Sequence, residues 1–325
     1  VTGPQTSEAR SLCRVDRVPA LVMAMTAMPG FRGKKVACRG GFAQRRLLFC
    51  LLALGIVLMA TVVSCGSGAG REGRIGVVVS QEPLGNFVKN VAGDMVDVTV
   101  LVPPGSSPHT YELTPSQMAA VSEAEMYVKV GSGVEFESIW MGEIVEVNPD
   151  MLIVDSSEGV ELLGGDPHIW NSPVIAKSMV ENICDGLVQA DPGNSAVYAR
   201  NRDDYLKELD VLDGYIRCTL DDFTNRYFIT YHPAFTYFAN EYSLTQLVVE
   251  HGGKEPTPQV LRECVDNAMQ HHLEYVFVSP QFVTDDCETI ADEIGGQVAA
   301  MDPLPENYIA NMGRIADALA LEFAD

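Results

Sequence analysis

From residue 74 onward the chain alternates short β-branched runs with amphipathic stretches. Apolar runs over 74–80 (RIGVVVS), 96–102, 126–130 and 151–155 (MLIVD) predict strands, and the stretches at 85–92, 115–123 and 136–145 predict helices between them. Strands this apolar, separated by helices, belong to parallel sheets covered on both faces. The same rhythm returns over 227–230, 244–249, 275–279 and 297–301. Two α/β units therefore flank a middle section of different character.

That middle section has no proline from 195 to 223 and one glycine, Gly214. Val197, Tyr198, Tyr205, Leu209, Leu212, Ile216 and Leu220 recur at helical spacing, and Asp191-Pro192-Gly193-Asn194 supplies a start signal. A helix of nearly 30 residues would span about 45 Å and act as a rigid connector. Two shorter helices broken at Gly214 are the alternative. The expected division is 74–190 for a first α/β lobe, 191–224 for the linker helix and 225–325 for a second lobe.

The segment before residue 74 reads differently. Arg45-Arg46 precedes the apolar run 47–63 and then Ser64-Cys65. A positive flank, a short apolar core and a small residue describe an export signal; an uncleaved anchor is the alternative, because the run is at the lower limit for a membrane span. Val62-Val63-Ser64-Cys65 resembles the bacterial lipobox, which implies a lipid on Cys65, and the flexible tether Gly66-Ser67-Gly68-Ala69-Gly70 follows it. Residues 1–64 are accordingly expected to be removed, 65–73 to be a lipidated tether, and the folded part to lie outside the cytoplasm, anchored to the cell membrane. Residues 1–44 are long for a leader, and Met23, Met25 and Met28 are alternative starts.

Charge separates the same two parts. Residues 1–64 hold nine Lys/Arg against two Asp/Glu, whereas the remainder holds 13 against 42, a net of −29. A folded part this acidic repels nucleic acid and anionic lipid and concentrates cations. Hydrophobic content of 47% fits a globular chain and not a polytopic membrane protein. Cys184, Cys218, Cys264 and Cys287 are widely spaced without a CxxC, so they do not form a zinc-finger pattern. Cys264 with Cys287 is the favoured disulfide, and buried thiols are the equal alternative.

Three of six histidines share a setting. His109 follows the 96–102 strand in Pro108-His109, His168 follows the 151–155 strand in Asp166-Pro167-His168-Ile169-Trp170, and His232 follows the 227–230 strand in Tyr231-His232-Pro233. Asp302 ends the 297–301 strand in Asp302-Pro303-Leu304. Ligands of open parallel sheets bind beyond the carboxyl ends of strands, so these four, two from each lobe, are expected to converge. Three imidazoles and one carboxylate suit tetrahedral Zn²⁺, and a site filled by protein holds metal without activating water. Any one of these residues alone reads as a surface or turn residue. His251 and the pair His271-His272 read as structural or solvated, the pair at a helix C-terminus.

Pro108-His109-Thr110-Tyr111-Glu112, Asp166-Pro167-His168-Ile169-Trp170, Tyr231-His232-Pro233-Ala234-Phe235 and Asp302-Pro303-Leu304 resemble, in order, the four metal-site motifs of the zinc/manganese solute-binding proteins of ABC transporters. Gly131-Ser132-Gly133-Val134-Glu135, Glu255-Pro256-Thr257-Pro258 and the long middle helix extend the similarity from about residue 74 to the C-terminus. The resemblance implies two (β/α)₄ lobes with parallel sheets joined by a rigid interdomain helix, a metal in the cleft held by His109, His168, His232 and Asp302, and delivery to a membrane permease by a monomeric, non-enzymatic protein. Asp-Pro-His-Ile-Trp followed by Asn171-Ser172-Pro173 is nearer the zinc branch, with Mn²⁺ as the alternative. Many zinc-branch members carry a His-rich loop between the first two ligand histidines, and here 110–167 has no histidine. A secreted zinc hydrolase would need an open coordination position and a base such as Glu112 or Asp166, but no HExxH or other hydrolytic motif is present. A metal-independent adhesin on the same fold is the third reading.

Overall fold

The computed structural model describes residues 74–324 apart from 251–253, 255 and 283–284, all within one compact unit, Gly73–Asp325. The export and lipobox motifs, including Cys65, and His251 lie outside the described residues.

The first half runs β1 (Ile75–Gln81), α1 (Glu82–Ala92), β2 (Val96–Val102), α2 (Pro115–Glu123), β3 (Met126–Lys129), α3 (Glu135–Val147), β4 (Leu152–Asp155) and α4 (Pro173–Ala190). Its four strands form a parallel sheet in the order β2-β1-β3-β4, with Val79 opposite Val100 on one side and Val128 on the other. Val77, Val78 and Val79 are all buried, as a central strand covered on both faces requires. The helix pattern did not single out 173–190; there Ser172 caps α4 by accepting from the Ile175 N–H, and Pro173 occupies the first turn, where its missing N–H costs nothing. A Cβ on Gly186 would come within 2.3 Å of Val154, so glycine is what lets α4 lie directly on β4.

α5 (Ser195–Leu220) follows as one continuous helix of 26 residues, about 39 Å long. It passes through Gly214 unbroken: a Cβ there would touch nothing, and the buried stripe Leu209, Leu212, Ile216, Leu220 continues across it. The second half runs β5 (Tyr227–Thr230), α6 (Thr236–Glu241), β6 (Thr245–Val248), α7 (Pro258–Gln270), β7 (Tyr275–Val278), α8 (Asp285–Ile294), β8 (Gln297–Ala300) and α9 (Tyr308–Glu322). Its sheet is also parallel, in the order β6-β5-β7-β8. The architecture is thus two four-stranded parallel α/β sheets with a long helix between them in the chain.

The halves are tied together away from that helix as well. Phe87 of α1 packs edge-on to Tyr308 of α9 at 5.0 Å between centroids, within one apolar core that includes Tyr205 of α5. The Trp170 indole N–H donates to the Pro303 carbonyl at 2.6 Å, the Tyr308 hydroxyl donates to the Trp170 carbonyl at 2.6 Å, and the Asn171 amide donates to the Ala234 carbonyl at 2.8 Å.

The expected Cys264–Cys287 disulfide does not form. Both side chains are buried thiols that fill space in the apolar cluster beneath α7 and α8, where they act as small hydrophobic residues. The Cys264 thiol points to the Val248 carbonyl at 3.7 Å, and burial, followed by the neighbouring Glu263 charge, pushes it up to about 11.

Candidate metal centre

Each of the three histidines is delivered by a loop leaving the carboxyl end of a strand. After β2, two tight turns, Ser106 N–H to Pro103 O at 3.1 Å and Thr110 N–H to Ser107 O at 3.2 Å, present His109. After β4, the Asp166 carboxylate accepts the His168 backbone N–H at 2.8 Å and sets the turn that aims His168. Behind that turn the Ser132 hydroxyl donates to the Pro167 carbonyl. After β5, the Ala234 N–H and the Thr230 hydroxyl both donate to the His232 carbonyl, at 2.9 and 3.0 Å.

The three side chains meet. His232 Nε2 lies 3.3 Å from His109 Nε2 and 3.3 Å from His168 Nε2. Among the described residues, these three histidines form the group whose donor atoms all lie within 4.8 Å of one another. Asp302 lies outside it: its Oδ1 accepts from the Leu304 N–H at 2.9 Å and the Gln281 amide at 3.2 Å. His271 is elsewhere, stacked on Tyr227 at 3.6 Å, and His272 lies in the turn just past α7 with φ 55.

Every imidazole has a carboxylate on its outer nitrogen. His109 Nδ1 is 3.1 Å from Glu135, His168 Nδ1 is 2.6 Å from Asp166, and His232 Nδ1 is 2.6 Å from Glu250. A carboxylate accepts, so Nδ1 carries the hydrogen and the Nε2 lone pair turns inward. Lone pairs facing one another at 3.3 Å, as that of His232 faces the other two, repel unless a cation lies among them. The two 3.3 Å separations also match a tetrahedron, in which bonds of 2.0–2.1 Å give donor–donor edges of about 3.3–3.4 Å.

In the sequence Asp166 reads as a candidate base and Glu135 as part of a loop motif, while Glu250 carries no signal. Asp166 is two residues from its partner, so an Asp-x-His pattern was a usable local signal. Glu135 and Glu250 lie 26 and 18 residues from theirs and had no such signal. Parallel pairing explains Glu250: β5 and β6 continue past their ends through Val249 N–H to Thr230 O and Glu250 N–H to Tyr231 O, at 3.0 and 2.8 Å, so residues 232 and 250 lie abreast.

Electrostatics favour an ionised Asp166 behind its ring. Burial pushes the Asp166 carboxyl up, but its hydrogen bonds, first of all with His168, outweigh burial and leave it below its ordinary value. Near Glu135, burial pushes Glu137 up, opposed by hydrogen bonds from Ser80, Gly131 and Val130. Those bonds, at 2.5 Å to Ser80, 2.6 Å to the Val130 N–H and 3.0 Å to the Gly131 N–H, pin the turn that leads into Glu135. Gly131 is required in that turn: its φ is +84, and a Cβ would fall 1.9 Å from Asp155. Phe282 closes one side by stacking on His232 at 4.7 Å and 23°.

Comparison with known proteins agrees with this geometry. Residues 77–321 match the family model described as zinc-uptake complex component A, periplasmic (ZnuA). The chain is 28% identical over 262 residues to the high-affinity zinc uptake system protein ZnuA of Bacillus subtilis, covering 74% of this chain and 81% of that protein. It is 29% identical over 270 residues to the manganese-binding lipoprotein MntA of Halalkalibacterium halodurans, covering 79% and 88%. A crystal structure of ZnuA superposes with a TM-score of 0.74 at 38% identity, covering 77% of this chain and 99% of that one. The Zn(II)-bound ZnuA-like domain of Streptococcus pneumoniae AdcA does so with 0.68 at 26%, covering 78% and 100%. With a matching fold, a centre of three inward-facing imidazoles and a family match across most of its length, this chain belongs to the ZnuA family of zinc-uptake components, which are solute-binding proteins of transporters and not enzymes.

Proposed function

We propose that the protein captures Zn²⁺ outside the cytoplasm with His109, His168 and His232, completes the site with Asp302, and hands the ion to an ABC permease for uptake. The observation that carries this reading is the pair of 3.3 Å Nε2 separations, with a carboxylate on each Nδ1. A borderline cation is what three neutral nitrogens at that spacing suit, whereas Mn²⁺ is better matched by oxygen donors. Mn²⁺, which the MntA relative is named for, is therefore the competitor to test.

The export run and lipobox support the finer arrangement: residues 1–64 as an export segment, Cys65 as the lipidated residue that anchors the protein to the membrane, and 65–73 as a tether. In that reading 74–190 and 225–325 are the lobes, 191–224 is the linker, and the protein works as a monomer.

Calorimetry of chelator-stripped protein with Zn²⁺, and then with Zn²⁺ and Mn²⁺ in competition, tests the proposal. One zinc should bind per chain and displace manganese. His232→Ala should lower zinc affinity by about a thousandfold or more, some 4 kcal/mol, with little change in the apo melting temperature. Unchanged affinity in that variant would remove His232 from the ligand set.

A further inference from the structure

Asp302 is held by donors that have nothing to do with a metal. Its Oδ1 receives the Leu304 N–H and the Gln281 amide together, at 2.9 and 3.2 Å. The Leu304 bond is local, from the backbone two residues along. The Gln281 bond comes from a different segment, the one after β7. Gln281 is itself in an expensive position: its Oε1 is buried with no hydrogen-bond partner among the described residues. The neighbouring Phe282 stacks on His232, which holds this segment against the centre.

Distance makes the arrangement consequential. In a tetrahedral zinc site the fourth donor stands about 3.3 Å from each of the other three. Asp302 lies outside the group whose donor atoms are within 4.8 Å, so at least one of its distances to the three nitrogens must shorten by roughly 1.5 Å or more to complete such a tetrahedron. An advance of Oδ1 is made against the Gln281 bond, already long at 3.2 Å.

We propose that Gln281 sets the affinity of the site by holding the Asp302 carboxylate back from the three imidazoles. Zinc is captured first by the histidines, and Asp302 joins by exchanging the Gln281 hydrogen bond for the metal. The same amide then competes for the carboxylate when the ion leaves. Gln281 is a positioning residue, and its role rests on the zinc-capture reading above.

The test compares wild type, Gln281→Met, Gln281→Ala, Asp302→Asn and the double variant Gln281→Met/Asp302→Asn on the full chain. Zinc affinity is read by chelator competition, release rate by stopped flow, and apo stability by thermal melt. Both Gln281 variants lack the donor, so either can stand in if the other fails to fold. Each should bind zinc about tenfold more tightly and release it correspondingly more slowly. The double variant should match Asp302→Asn alone. Unchanged or weaker binding in the Gln281 variants overturns the proposal, as does a gain that persists without Asp302. Absence of stoichiometric zinc binding by wild type would instead sink the capture reading itself.

Discussion

The carboxylates behind the imidazoles should differ in importance according to burial. Glu250 and His232 are 4% and 8% exposed, while Glu135 and His109 are 56% and 29% exposed. His232 is also the middle ring, the one within 3.3 Å of both others. Glu250→Ala removes a charge-assisted bond that orients this ring in a water-poor setting. Loss of such an outer partner typically lowers metal affinity 10- to 100-fold, about 1.4–2.7 kcal/mol. Glu135→Ala removes a bond that water can replace, and exposed ion pairs contribute about 0–1 kcal/mol, so the loss should be about fivefold or less. Glu250→Gln retains an acceptor for Nδ1–H without the charge and should fall between. Zinc affinity is measured by chelator competition at one pH and ionic strength, beside melting curves of each apo variant. Equal losses for Glu135→Ala and Glu250→Ala would refute the claim that buried carboxylates orient the ligands. So would a loss below twofold for Glu250→Ala.

Three further outcomes are expected. Glu322, buried and accepting the Glu274 and Tyr275 N–H groups at 3.1 and 2.8 Å, is pushed by desolvation from 4.5 up to about 7 against the pull of those bonds. A raised acid contributes stability below its unfolded value that is lost as pH rises through the folded one, so wild type should lose stability between about pH 4.5 and 7 relative to Glu322→Gln in paired thermal melts. Gly131→Ala, which puts a Cβ 1.9 Å from Asp155 at φ +84, should cost about 2 kcal/mol or more by urea denaturation; a neutral result would mean that the turn is free to shift. Small-angle scattering of stripped and zinc-loaded protein should show a change in radius of gyration below about 1 Å, against about 18 Å for a globule of this size, because the unbroken α5 and the Trp170, Asn171 and Tyr308 bonds resist hinge closure. A larger contraction would show that those ties break on binding.

Much of this protein is legible in one dimension. Short apolar runs predicted all eight strands, and most clearly the central ones, because a strand buried on both faces, as β1 is, has no polar side to interrupt its pattern. His109, His168 and His232 stood out because parallel sheets gather ligands at strand ends, and strand ends can be read from sequence. Folding had to decide the rest. Gly214 could have ended the middle helix on propensity alone; the apolar stripe buried on both sides of it keeps α5 whole. Cys264 and Cys287 looked like a pair, and the core uses them as two small apolar side chains. Glu250 reaches His232 only because β5 and β6 pair in the register that sets Thr230 against Val248. Asp302 follows its strand as expected, yet the strand says nothing of Gln281, which comes from the end of a neighbouring strand and binds the same carboxylate. Local pattern determined which residues stand at strand ends, because strand propensity and burial are short-range. Which of them touch, and which are held apart, depends on the register and packing of segments distant in the chain.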